Sequence, residues 1–242
     1  MDYAAFVEHV RLDGDRLATA VDDVLDAPVP SCPGWIARDL VTHVAQVYEH
    51  KIACTELGHQ PEPWPPAWPA DRDAVAWLRD AHARLLAMFH GHGPADPSPT
   101  WWPPDQTVGF WARRMAHETA IHRVDAELAA GAVTPVDPTL ALDGIDEVLT
   151  IMLAGDWSEA PIGPPAGRRV AVEAGDRRWV VTFEPTAILV AQEQGPVDAT
   201  VGGDTSDVVC WLWGRAGDER VTRSGLEETI RLLRSRLSLA TQ

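Results

Sequence analysis

Two periodicities divide this chain. Over its first part, apolar residues recur at the three-to-four spacing of amphipathic helices. Phe6, Val10, Leu17, Val21 and Val24 share one face of a segment running from about 2 to 24. Trp35, Leu40, Val44, Val47 and Ile52 form the stripe of a second helix, stopped by Gly58. A third helix, about 72–90, can be capped by Asp71 or Asp73, and a fourth covers 108–130 with Gly131 as its stop. A fifth, weaker one runs from about 138 to 154, with Pro138 at its first position after Asp137. Between them, GHQPEPWPPAWPA and GHGPADPSPTWWPPD are too rich in proline for regular structure. Trp64, Trp68, Trp101 and Trp102 fall in these two segments, which read as loops lining something rather than as core.

At GDWSEAPIGPPAG the period changes. RRVAVEA, RRWVVTFEP, AILVAQE and DATVGG read as short strands separated by turns. The segments SDVVCWLWG and LEETIRLLRSRL then return to helical spacing. Strands followed by helices make an α+β pattern. The expected organisation is a helical-bundle domain over 1–155, a linker over 156–167 and a small α+β domain over 168–242.

Charge narrows the partners. Twenty basic residues against thirty-six acidic ones leave a net charge of -16, a field that repels nucleic-acid backbones and anionic membranes. No apolar run is long enough to cross a bilayer, and the first residues lack the features of a secretory signal, so the cytoplasm is the expected compartment. Local basic pockets remain possible at Arg215, Arg220 and Arg223; Arg231, Arg234 and Arg236 read instead as the solvated face of the last helix. Cys32, Cys54 and Cys210 form no CxxC pair, which argues against a disulfide framework or a thiolate zinc site.

The fourth helix contains the chemistry. His117 and His122 are five residues apart, about 140° around a helix, and cannot easily share an ion. Glu118 and His122 are four apart, about 40°, and stack on one face. His43, near the apolar stripe of the second helix, is the natural third ligand. Two imidazoles and a carboxylate suit zinc, iron or nickel, and three protein ligands leave open positions. The competing reading makes His117, Glu118 and His122 surface polar residues and His43 a hydrogen-bonded core histidine.

Three stretches, SCPGWIARDLVTHV, RRMAHETAIHRVDAE and ALDGIDEVL, resemble the mycothiol-dependent maleylpyruvate isomerase family, part of a wider group of DinB-like metal-binding bundles. The resemblance spans nearly the whole chain. It implies a DinB-like four-helix bundle followed by a sterol-carrier-like α+β domain, and a zinc site at His43, Glu118 and His122. It also implies that Arg215, in a Gly-Arg pair after the first helix of the second domain, contacts a substrate carboxylate. One departure is Ile36, where the family commonly has Thr; that loses a helix-capping hydrogen bond worth about 1 kcal/mol.

The implied activity uses a small thiol, mycothiol, as cofactor or co-substrate with an electrophilic or unsaturated acid. Thiolate addition to a conjugated double bond, rotation and departure would give cis–trans isomerisation; permanent transfer would make an S-transferase. A non-catalytic metal-binding or regulatory module is the alternative, and it needs a fourth protein ligand, for which His117, His50 and Glu49 are candidates. Since imidazoles bind metal only when neutral, affinity should fall below about pH 6.

Overall fold

A computed structural model describes residues 1–64, 73–163 and 166–241. Trp68 and Asp71 lie outside the described residues. The fold consists of two compact units, Met1–Thr134 and Pro135–Gln242.

The first unit is a four-helix bundle of α1 (Tyr3–Ala20), α2 (Ala37–Leu57), α3 (Ala74–Gly91) and α4 (Val108–Ala130). Each of α1 and α2 packs on both α3 and α4. Asp2, Asp73 and Thr107 cap α1, α3 and α4 by accepting from backbone N–H groups of the first turn. Gly58 and Gly131 end α2 and α4 at φ of 71° and 76°, a left-handed conformation that glycine adopts without a Cβ penalty. Helix α4 differs from its neighbours in being buried nearly all round, polar residues included. Its Arg123 is fully buried and binds Asp13 of α1 at 3.2 Å and Glu127 at 2.7 Å. This ionic cluster fastens α4 to α1.

The second unit begins earlier than the Gly/Pro-rich segment suggests. Helix α5 (Pro138–Glu147) packs on α6 (Thr205–Leu212), and Val136 N donates to Ser206 Oγ at 2.9 Å. Residues Val148–Leu153 continue α5 as a π-helix. The expected boundary at 155 thus falls inside the unit. The expected linker is held against its sheet: β1 (Gly155–Asp156) pairs with β4 (Ala187–Ala191), Trp157 N donates to Thr186 O at 2.7 Å, and Ile162 N donates to Pro185 O at 2.9 Å. Those backbone groups find partners here, so Asp156, Trp157 and Ile162 are tied to the sheet.

The sheet contains β1, β4, β3 (Arg177–Glu184), β2 (Arg169–Ala174), β5 (Ala199–Gly203) and β6 (Thr222–Gly225) in that order. Only the β2–β5 pair is parallel; the other neighbours are antiparallel. Helix α7 (Glu227–Ala240) packs on β2 and β5. The α+β reading therefore holds, while β1 and β6, short edge strands without alternating apolar residues, carried no periodic signal.

Two arginines of the Arg215, Arg220, Arg223 cluster are compensated. Arg220 pairs with Asp207 at 2.6 Å, and Arg223 with Asp218 at 2.8 Å and Glu227 at 3.0 Å. Arg234 is not simply solvated, since its guanidinium lies 4.5 Å from the centre of the Trp211 ring.

Candidate metal centre

Helices α2 and α4 lie side by side, and each carries polar residues on the facing surface. On α4 these are Arg114, Glu118, His122 and Asp125, preceded by Trp111; steps of three or four keep all five on one face. His43 comes from the second turn of α2. One ligand atom each from His43, Glu118 and His122 lies within 4.8 Å of the others, the only such group among the described residues. His43 Nε2 is 3.5 Å from Glu118 Oε1, and His122 Nε2 is 3.0 Å from the same oxygen. The two imidazole rings meet edge-on with centroids 5.1 Å apart, and Trp35 flanks His43 at 5.2 Å. Side-chain exposure falls from 33% at His43 to 16% at Glu118 and 11% at His122, so the cluster opens to solvent on the His43 side.

The surroundings fix the donors. His122 Nδ1 donates to Asp125 Oδ2 at 2.9 Å, which orients the ring and leaves Nε2 pointing into the cluster. Asp125 in turn accepts from the Ser31 hydroxyl, and Cys32 Sγ lies 3.8 Å from it. Arg114 donates to Glu118 Oε2, leaving Oε1 for the imidazoles. Burial alone would push the Glu118 carboxyl up, but the Arg114 guanidinium and the two histidines outweigh it and hold it well below the ordinary carboxylate range. For His122, burial favours the neutral ring; hydrogen bonds to Asp125 and Glu118 overcome that and raise it to about 9. A cation is thus favoured between these groups. The borderline donor set, its convergence and the Asp125 brace fit a divalent metal.

The three candidate fourth ligands point elsewhere. His117 is 3% exposed and packs against Phe6 of α1 at 6.0 Å between centroids. Glu49 binds Arg84 at 2.7 Å. His50 faces Lys51, Cys54 and Trp64. Arg215 belongs to the second unit, just past Gly214 at the end of α6, where its Nη1 donates to Trp213 O at 2.7 Å.

Asp125 and Arg114 do not stand out by residue type, yet the spacing argument that joins Glu118 to His122 extends to both, three residues on and four residues back. Lys51 carried no sequence signal; its surroundings come from Trp64 in a loop and Trp111 on α4.

Fold and site define a class: a four-helix bundle with a two-histidine, one-glutamate cluster between two helices, joined to an α+β unit. The family model of the mycothiol maleylpyruvate isomerase N-terminal domain matches residues 7–127, half of the chain, and the chain belongs to that family. A search of the curated proteins returns no match. Two crystal structures of the mycothiol-dependent maleylpyruvate isomerase, one a histidine-to-alanine mutant, align over 93% of this chain and 93% of their own at 18% identity. Their TM-scores are 0.60 for the mutant and 0.59 for the other, a likeness of fold. A ubiquinone synthesis protein described as UbiJ-SCP2 aligns with 44% of this chain and 95% of its own at 17% identity, with a TM-score of 0.28. No described helix is long and apolar enough to cross a membrane.

Proposed function

We propose that this chain is a metal-dependent, thiol-using enzyme that performs a cis–trans isomerisation of the maleylpyruvate-isomerase type with mycothiol as its thiol. The observation that carries this reading is the convergence of His43, Glu118 and His122 on one point with no fourth His, Cys, Asp or Glu joining them among the described residues. A structural site would normally close with four protein ligands; three leave room for an exogenous sulfur. A divalent ion, zinc by donor type, supplies a lowered thiol pKa and hence a thiolate at neutral pH.

The chain's own residues do the rest. His43, Glu118 and His122 hold the ion. Asp125 keeps the His122 tautomer, and Arg114 orients Glu118. The three cysteines are not needed as nucleophiles: Cys54 and Cys210 are buried, and burial raises the Cys54 thiol. Arg215, on the family pattern, is proposed to contact a substrate carboxylate through its guanidinium fork. The proposed compartment is the cytoplasm, where a small-thiol pool is available.

The test is a turnover screen of metal-loaded protein with mycothiol and cis-configured unsaturated dicarboxylates. Thiol-dependent conversion to the trans isomer, with the thiol regenerated, supports the isomerase. Accumulation of a stable thioether would replace it with an S-transferase. Absence of thiol-dependent chemistry on every electrophile offered would leave the non-catalytic metal-binding module.

A further inference from the structure

Two turns beyond His43, about 12 Å along the axis of α2, Lys51 extends its ammonium into the α2–α4 interface. Its Nζ lies 4.7 Å from the centre of the Trp111 ring and 5.2 Å from that of Trp64. It also lies 3.1 Å from His50 Nδ1. His50 is held neutral, because burial, helped by the neighbouring ammonium, pushes it down to about 4. It therefore accepts from Lys51. Among the described residues, none of these contacts brings a negative charge. Indole faces attract a cation without neutralising it.

The nearest acidic influence is Glu118, and it is already engaged: Oε2 accepts from Arg114 and Oε1 faces His122 and His43. Burial lowers the Lys51 ammonium below its ordinary value, with Glu118 and the Cys54 thiol only partly opposing and Arg114 adding to the fall. Keeping an ammonium half-buried without a carboxylate is costly, above all in a chain of net charge -16 where acidic partners abound. The same two helices carry the metal cluster at one end and this cation, walled by two indoles, two turns away. A small acid would set one carboxylate on Lys51 beside the exposed Trp64 indole, with the fully buried Trp111 ring backing the ammonium from inside.

We propose that Lys51 is a substrate-binding residue that takes one carboxylate of the unsaturated acid and selects for acidic over neutral electrophiles. This rests on the thiol-enzyme reading above, but the anion contact can be tested apart from it. Maleate and its dimethyl ester serve as probes of metal-loaded protein, followed by tryptophan fluorescence, since Trp64 and Trp111 flank the ammonium. Wild type should bind maleate at least tenfold more tightly than the diester. Lys51→Met, which keeps the apolar stem, should lose on the order of 10- to 100-fold of the maleate affinity with metal content and diester binding unchanged. Lys51→Arg should recover most of it. In turnover, the loss should appear in KM more than in kcat.

Equal binding of maleate and diester by wild type overturns the proposal, and this comparison needs no variant to fold. So does undiminished maleate affinity in folded Lys51→Met. A protein that binds maleate through Lys51 yet shows no thiol-dependent chemistry would keep this site and discard the isomerase reading.

Discussion

At the scale of single residues, the cluster holds its ligands by competition between burial and charge. His122 is buried yet driven to about 9 by Asp125 and Glu118, so a metal ion has to displace a proton there. The pH dependence of binding therefore differs from that of an unperturbed imidazole. Affinity should keep rising with pH towards about 9, where the sequence alone would have it level off just above 6. A competition titration with a metallochromic chelator from pH 6 to pH 9 reads this directly; a plateau from pH 6.5 upward would contradict it. Asp125→Asn should weaken metal binding by about 10- to 100-fold with the three ligands intact. Glu118 and His122 were legible in the sequence because helical geometry is local and periodic. Lys51 was not, because what isolates its charge is contributed by Trp64 and Trp111, which only the folded chain brings to it.

At the scale of elements, legibility followed the caps. Thr107 and Gly131 bound α4, and both ends were readable because each solves the terminal hydrogen-bond problem with a side chain or a glycine. The start of α2 is half solved: Asp39 Oδ2 accepts from Ile36 N at 3.0 Å, while Ile36 offers no acceptor in return. Ile36→Thr completes the box and should stabilise the protein by about 0.5–1 kcal/mol, seen as a higher urea midpoint with unchanged slope. A fall in midpoint would mean that the packing of the half-buried isoleucine matters more than the cap. The Arg123 cluster predicts the opposite sign. Glu127→Ala strips a partner from a fully buried guanidinium and should cost about 3–5 kcal/mol in the same assay. A loss under 1 kcal/mol would show that Asp13 and Thr134 suffice. The pairing of Gly155 and Asp156 with β4, at the start of the expected 156–167 linker, was not legible because β1 is two residues long and its pairing is set by tertiary contact, which no local pattern encodes.

At the scale of the whole molecule, the bundle and the α+β unit were readable as a change of period from about 3.6 to 2, whereas the place of α5 was not. An amphipathic helix carries no mark of which unit it will cover, and α5 went to α6. The proposed function assigns Arg215, on the second unit, a contact with a substrate carboxylate. Arg215→Ala should leave metal content unchanged and lower turnover of carboxylate substrates by a factor on the order of 10², with Arg215→Lys recovering only part because the fork is lost. Undiminished turnover in Arg215→Ala would remove that residue from the account. The claim on which everything else depends is that His43, Glu118 and His122 bind one ion without His117. Metal content per chain, measured by plasma mass spectrometry on wild type and on His43→Ala, His122→Ala and His117→Ala proteins dialysed against equal zinc, tests it most directly. The account predicts close to one ion for wild type and His117→Ala and little for the other two; loss of the ion in His117→Ala, or its retention in both His43→Ala and His122→Ala, would contradict it.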